Sequence, residues 1–455
     1  MGWSLDDTIA AIGTPPGEGG IGIVRVSGPE APAILRRLVV PTRRGRAWAP
    51  WRMRHGHVVD PASGAVVDEV LAVWMAAPHT YTRQDVVEIH AHGGMVALRR
   101  VLELSLLAGA RLAGPGEFTL RAFLNGRLDL AQAEAVLDVV RAKSRAGLQA
   151  AVGQLQGRLS ARVGAVRGQL IEALAHLEAA FDFPDDEIPP CDLPALLEAA
   201  AAELDALLAG AEQGIAYRQG LRTAIIGRPN VGKSSLLNAL LRAERAIVTP
   251  IPGTTRDTVE ENAVVGGIPL VLVDTAGLTD AADPVERLGV ERSRAALASA
   301  DLVLWVVDGS QPPHPDDRAI ATLVDGRRGV LVVNKSDLPR VPGHEELAPG
   351  WRAVPISALT GQGLEGLEQA VLQSVLAGRV EAGEEPLVSR PRHADALRRA
   401  REHVAAAARA HAEGWPGDCV AIDLRAAADA LGEITGEAVS EDLVARIFAD
   451  FCIGK

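Results

Sequence analysis

Between Gly227 and Ser234 the chain reads Gly-Arg-Pro-Asn-Val-Gly-Lys-Ser. A short apolar run, Thr223 to Ile226, precedes this stretch, and an apolar segment at helical spacing follows it to Leu240. Strand, glycine loop and helix start, in that order, is the context in which G-x-x-x-x-G-K-[ST] cradles phosphates. Gly227 and Gly232 let the backbone curl, so that N–H groups around Asn230, Val231 and Gly232 face inward. The helix start adds positive potential, Lys233 reaches the β and γ phosphates, and Ser234, followed by Ser235, offers a hydroxyl to Mg²⁺.

Three further stretches fit the same chemistry. Thr249, Pro250, Ile251, Pro252, Gly253, Thr254 and Thr255 form a switch-like segment, in which Thr255 is the natural second hydroxyl ligand for Mg²⁺. Asp274, Thr275, Ala276 and Gly277 follow an apolar run; the aspartate can hold Mg²⁺ through water, and the Gly277 N–H can meet a γ-phosphate. Asn334, Lys335, Ser336 and Asp337 follow another. Asp337 can accept from guanine N1–H and N2–H₂, a pairing adenine does not offer, while Asn334 and Lys335 hold the loop and cover the base. Ser357, Ala358 and Leu359 can place a backbone N–H on guanine O6. The set, in this order, predicts GTP binding. Leu278 stands where Ras-type enzymes carry the glutamine that orients water. Glu286 is the nearest carboxylate that can polarise water; the alternative is a helix-N-terminal glutamate favoured by the macrodipole.

The elements that must hold these residues follow from periodicity. Pro269 to Val273, Asp301 to Val307 and Gly329 to Val333 are nearly continuous apolar runs, as expected of buried parallel strands. They predict an α/β domain over 218–378 with its chemistry at the strand ends. Residues 128–212 and those after 380 are rich in Ala, Leu and charges at helical spacing. The economical reading is one helical domain, 121–217 with 379–455, into which the α/β domain is inserted; two independent bundles are the alternative. Residues 1–120 read as α+β, with strands at Asp7–Ile12, Ile21–Val26, Val70–Met75 and Asp85–Ala91 and a helix at Met95–Leu107. His90 and His92 share one side of a strand, and no third metal ligand accompanies them.

Composition bounds the rest. The chain has 455 residues, 48% hydrophobic and 23% charged, an ordinary globular balance that allows about three domains. A formal charge of −12 argues against an autonomous polyanion binder. Cys191, Cys419 and Cys452 lie far apart, so neither a disulfide framework nor a CxxC metal pair is expected. With no leader pattern and no long apolar run, a cytoplasmic protein without a membrane partner is expected.

The chain resembles the MnmE (TrmE) family of bacterial tRNA-modification GTPases, within the wider TrmE-Era-EngA-like group. The resemblance rests on DTIAAIGTPPGEGGIGIVRVSG near the start, on Gly116-Glu117-Phe118-Thr119 through Arg121 to Leu130, and on the ending Phe451-Cys452-Ile453-Gly454-Lys455. It implies a dimerising N-terminal domain that binds 5,10-methylene- or 5-formyl-tetrahydrofolate, with Arg25, Glu88 and Arg127 lining the pocket and Lys455 nearby. Family members often carry Lys where this chain has Arg127, and a guanidinium is not a geometric substitute for an ammonium. It also implies a flavoprotein partner, MnmG, joined in a heterotetramer, and the building of an aminomethyl or carboxymethylaminomethyl group on the wobble uridine of certain tRNAs. By the same resemblance, two GTPase domains meet during turnover. A K⁺ ion held by Asn230, Thr249, Ile251 and Thr254 then takes the place of an arginine finger. Thr279 departs from the arginine common in relatives. Cys452 is a candidate nucleophile under this reading, and a packed tail residue otherwise. The rival class is a regulatory GTP switch in ribosome assembly without covalent chemistry, which would usually append a basic RNA-binding module.

Overall fold

Two patterns of apolar residues build two different sheets. The computed structural model describes residues 5–43, 48–182, 192–243, 262–272, 297–376 and 388–454. They fall into two units, one within Met1–Leu137 and Gly432–Lys455, the other within Asp138–Val248 and Asp257–Leu431.

In the first unit the strands alternate. Val24 and Val26 have no exposure, whereas Arg25 between them faces the other side of the sheet. The strands are β1 (Ile9–Ile12), β2 (Gly22–Ser27), β3 (Val39–Pro41), β4 (Arg54–Val59), β5 (Val66–Met75), β6 (Val86–Ala91) and β7 (Arg111–Leu112). Their order is β3-β4-β5-β6-β2-β1-β7, antiparallel except for β1 against β7. Helices Ala31–Leu38 and Met95–Leu107 cover one face, packing Leu35, Leu38, Leu98 and Val101 against Val24, Val26, Val87 and Ile89. Ile9, Ala11 and Phe118 form a smaller cluster with Tyr81 packed against it. Helices Glu117–Leu124 and Glu441–Ala449 share a further core, in which Leu120 and Leu130 meet Val444, Phe448 and Phe451. The last strand-like contact is a bridge between Pro115 and Ile453.

In the second unit the strands are buried on both faces and read as unbroken apolar runs. They are β8 (Leu221–Ile226), β9 (Asn262–Val265), β10 (Ile268–Leu272), β11 (Leu302–Asp308), β12 (Gly329–Asn334) and β13 (Arg352–Pro355). The order is β13-β12-β11-β8-β10-β9, parallel except for β9. Helices Lys233–Ala243 and Leu364–Leu376 pack on one face and Pro315–Val324 on the other. Helices from both flanks of this sheet pack together. Leu193–Ala209 lies along Pro391–Ala412, where Arg401 Nε donates to Asp205 Oδ1 at 3.0 Å. Arg167 on Arg158–Asp182 donates to the Ala428 carbonyl at 3.1 Å. The α/β domain is therefore an insertion within a helical bundle, and the first unit is an α+β N-terminal domain. Among the described residues, no helix is long and apolar enough to cross a membrane.

Candidate functional site

Sequence order along the sheet reverses at β8, whose neighbours are β10 and β11. Ligands of open α/β sheets bind at such a point, beyond the carboxyl ends of the strands. Gly227 to Gly232 leave β8 there and lead into the helix that starts at Lys233. Gly232 has φ +99°, and a Cβ on it would sit 2.2 Å from Asn334 Nδ2, so only glycine fits. Asn230 is exposed with φ +64°, a conformation asparagine tolerates better than most residues. Val231 is fully buried and anchors the loop in the core. Lys233 Nζ donates to the carbonyls of Gly227 and Arg228, at 2.8 and 2.9 Å. Burial pulls its ammonium below the usual lysine range. Ser234 and Ser235 are exposed on the first turn of the helix.

One buried side chain ties this loop to the two that would meet a base. Asn334, 3% exposed, donates from Nδ2 to the Val231 carbonyl at 2.8 Å and accepts at Oδ1 from the Ala358 N–H at 3.0 Å. Lys335, in the left-handed region at φ +65°, places Nζ 2.7 Å from Asp308 Oδ2 at the end of β11. Burial raises the pKa of Asp308, but Lys335 and the Ser310 donors outweigh it and hold the carboxyl below its usual range. Ser336 N donates to the Ile356 carbonyl at 2.9 Å. Asp337 is exposed and makes no hydrogen bond among the described residues, so both carboxylate oxygens can accept from a ligand. Ser357 is fully buried and its Oγ accepts from the Thr360 N–H at 3.2 Å, shaping the turn that carries Ala358 and Leu359. Leu359 is 85% exposed, an apolar side chain at the edge of the site.

The structure thus brings together Asn230, Val231, Gly232, Lys233, Ser234, Ser235, Asn334, Lys335, Ser336, Asp337, Ser357, Ala358 and Leu359. Thr249 to Thr255, Asp274 to Gly277, Glu286 and Lys455 lie outside the described residues. Asp308 was not singled out by sequence. The signal was the polar residue closing the apolar run of β11, level with Asn334 on β12.

A second polar cluster occupies the first unit. Arg25 on β2 stands opposite Glu88 on β6, with Nε 2.9 Å from Oε1, and its Nη1 donates to the Gly454 carbonyl at 3.3 Å. The Arg25 guanidinium lies 5.7 Å from the Phe118 ring centroid, and that of Arg127 lies 4.8 Å from the Tyr81 ring centroid. Burial raises the Tyr81 phenol above its usual pKa, against the opposing effects of Thr119, Arg127 and Arg25. The chain end closes on this cluster. Gly454 has φ +98°, and a Cβ there would be 2.3 Å from the Ile12 carbonyl oxygen. Cys452 is exposed, and its carbonyl accepts from the Gly116 N–H at 3.3 Å. Tyr81, Phe118 and Thr119 escaped sequence reasoning as site residues. Phe118 and Thr119 do stand in the Gly116–Thr119 run that carried the resemblance. His90 and His92 serve different carboxylates, Glu88 at 3.2 Å and Asp68 at 2.7 Å. Among the described residues, no group of three or more His, Cys, Asp or Glu could hold a metal ion.

A parallel sheet with a phosphate loop at its switch point and an Asn-Lys-x-Asp loop two strands away defines a P-loop GTPase. A family model described as the MnmE helical domain matches residues 130–452, and one described as GTP-binding protein TrmE N-terminus matches residues 8–127. The chain is 54% identical over 466 residues to the tRNA modification GTPase MnmE of Roseiflexus castenholzii, covering 99% of each. It is 54% identical to that of Chloroflexus aurantiacus and 52% identical to that of Moorella thermoacetica. Each match covers 99% of this chain and 100% of the relative. The chain belongs to the MnmE family of tRNA modification GTPases, and it is a GTP hydrolase.

Proposed function

We propose that this chain acts on tRNA with the flavoprotein MnmG in a heterotetramer. The pair makes the 5-carboxymethylaminomethyl or aminomethyl group of the wobble uridine in certain cytoplasmic tRNAs. The observation that carries the reading is the cluster in the first unit where Arg25 pairs with Glu88 and donates to the Gly454 carbonyl, with Phe118 under Arg25 and Tyr81 under Arg127. The donor set fits a reduced folate. Glu88 offers a carboxylate to the amide-like edge of a pterin, Phe118 and Tyr81 offer aromatic faces, and Arg127 and Lys455 suit the glutamate tail. Bound there, 5,10-methylene- or 5-formyl-tetrahydrofolate supplies the one-carbon unit. Arg25 holds the Glu88 carboxylate in place by donating from Nε to Oε1, and the exposed Cys452 thiol is the nucleophile offered to the uridine. A homodimer of residues 1–120 would set two such clusters side by side, with the helical domain (121–217 and 379–455) carrying the GTPase domain (218–378).

At the nucleotide, Asp337 and a backbone N–H of the Ser357–Leu359 turn read guanine, while Lys233 and the loop N–H groups neutralise the phosphates. Ser234 and Thr255 hold Mg²⁺, with Asp274 behind a water. Asn230, Thr249, Ile251 and Thr254 hold K⁺, and Asn230 supplies an amide oxygen suited to a monovalent cation. Glu286 polarises water in place of the glutamine that Leu278 replaces. Mass spectrometry of tRNA nucleosides from cells lacking the protein, complemented with wild type, Glu88→Ala or Cys452→Ser, tests the reading. Loss of the modified wobble uridine, restored by wild type alone, is expected. Normal uridine modification without the protein refutes it.

A further inference from the structure

Within the second unit, a cavity of about 250 Å³ lies away from the nucleotide loops. It is walled by the end of helix Leu130–Arg141, the first turn of helix Arg145–Leu155, the end of helix Ala211–Gln219 and Ser389, which precedes helix Pro391–Ala412. Its charges are unbalanced toward positive. Arg141, Lys143 and Arg218 line it against a single carboxylate, Asp138. That carboxylate is already taken: it accepts from Arg218 Nε at 2.8 Å and from Arg390 at 2.9 and 3.0 Å. Lys143 makes no hydrogen bond or ion pair among the described residues.

A helix start and one neutral donor accompany the cations. Gly147, in the first turn of an 11-residue helix, lines the cavity with its N–H held by Ser144 Oγ at 3.1 Å, so the helix contributes the positive end of its dipole. Ser389 also lines the cavity. It is 2% exposed, and its hydroxyl has no hydrogen-bond partner among the described residues. A buried hydroxyl without a partner costs free energy unless a ligand supplies one.

We propose that this cavity binds a phosphate group. Lys143, an Arg218 shared with Asp138, a hydroxyl donor and a helix N-terminus ask for an anion with more than one acceptor oxygen; inorganic phosphate provides four and a phosphodiester two unesterified ones. The volume falls short of the roughly 300–1,000 Å³ of pockets for drug-sized ligands, so a single phosphate fits better than a whole nucleotide. The group can come as free phosphate or as the phosphodiester of an RNA; the chemistry at the cavity is the same, and it does not depend on the proposed tRNA reaction.

The test uses full-length protein saturated with GDP, so that the phosphate loop is occupied. Inorganic phosphate is titrated by calorimetry, and a labelled oligouridylate lacking terminal phosphates by fluorescence anisotropy. Wild type is compared with Lys143→Ala, Ser389→Ala and, as a control for overall charge, Arg37→Ala, an exposed cation of the other unit. For at least one probe, Lys143→Ala should weaken binding about tenfold and Ser389→Ala severalfold, with Arg37→Ala unchanged. The probe that responds names the source. The proposal is overturned if wild type takes up neither probe, or if Lys143→Ala and Ser389→Ala bind as tightly as Arg37→Ala.

Discussion

Replacing Asn334 by alanine should separate the nucleotide loops that its side chain joins. The amide makes two bonds at once, to the Val231 carbonyl at 2.8 Å and from the Ala358 N–H at 3.0 Å, and it is 3% exposed. Truncation leaves one backbone acceptor and one backbone donor without this partner. Each buried group so orphaned costs about 1–3 kcal/mol. Ala358 is only half-buried, so water can repair part of its loss, and a total of about 2–4 kcal/mol is expected. At about 1.4 kcal/mol per decade, that is a rise in the GDP dissociation constant of about 30- to 700-fold, less whatever appears as lower stability of the free protein. Titration of a fluorescent GDP analogue gives the first quantity and denaturant unfolding of the nucleotide-free protein the second. If their sum stays under about 1 kcal/mol, the bridge does not hold the loops together and the reasoning fails.

Three further outcomes follow from the same geometry. Gly232→Ala forces a Cβ to within 2.2 Å of Asn334 Nδ2 at φ +99°, so nucleotide affinity should fall at least as far as in Asn334→Ala, measured by the same titration. Asp337→Asn replaces two acceptors by one acceptor and a donor, which matches xanthine better than guanine; competition between XTP and GTP should shift at least tenfold toward XTP. In the first unit, Arg121 is 1% exposed and bonded to Glu117 at 3.0 Å, so Glu117→Ala should cost about 3 kcal/mol in denaturant unfolding. The Glu117 and Asp7 carboxyls are pushed up by burial, yet their bonds to Arg111 and Arg121 hold both below the usual range. Their stabilisation is therefore present above about pH 4 and fades as pH falls below it, and Glu117→Ala should flatten that acid limb.

The parts of this molecule legible in the sequence are those where one physical demand dominates. The helix predicted at Met95–Leu107 has those bounds in the structure, and β10, β11 and β12 lie within a residue of the predicted apolar runs. Burial on both faces leaves little else for such runs to be. β4 was missed because Arg54, His55, Gly56 and His57 carry neither alternation nor β-branching; its pairing with β3 and β5 makes it a strand. Helix Ala31–Leu38 was missed because two small residues and a proline open it, and its apolar face becomes evident only against the sheet. At the site, Asp337 and Lys233 were legible because their chemistry is set by their motif. Asp308 and Tyr81 were not, because each matters through a partner distant in sequence, Lys335 and Arg127.

The bridge between Pro115 and Ile453, and the seat of Gly454 on Ile12, fix an order of events during synthesis. The first sheet can form early from local hairpins. Its cluster around Arg25 and the core shared by Leu120 and Phe448 are completed only by residues made more than 300 positions later. On the ribosome, the first domain must therefore wait, partly unsealed, while the inserted domain folds. A chain truncated shortly before Phe448 should keep its nucleotide loops and lose this closure.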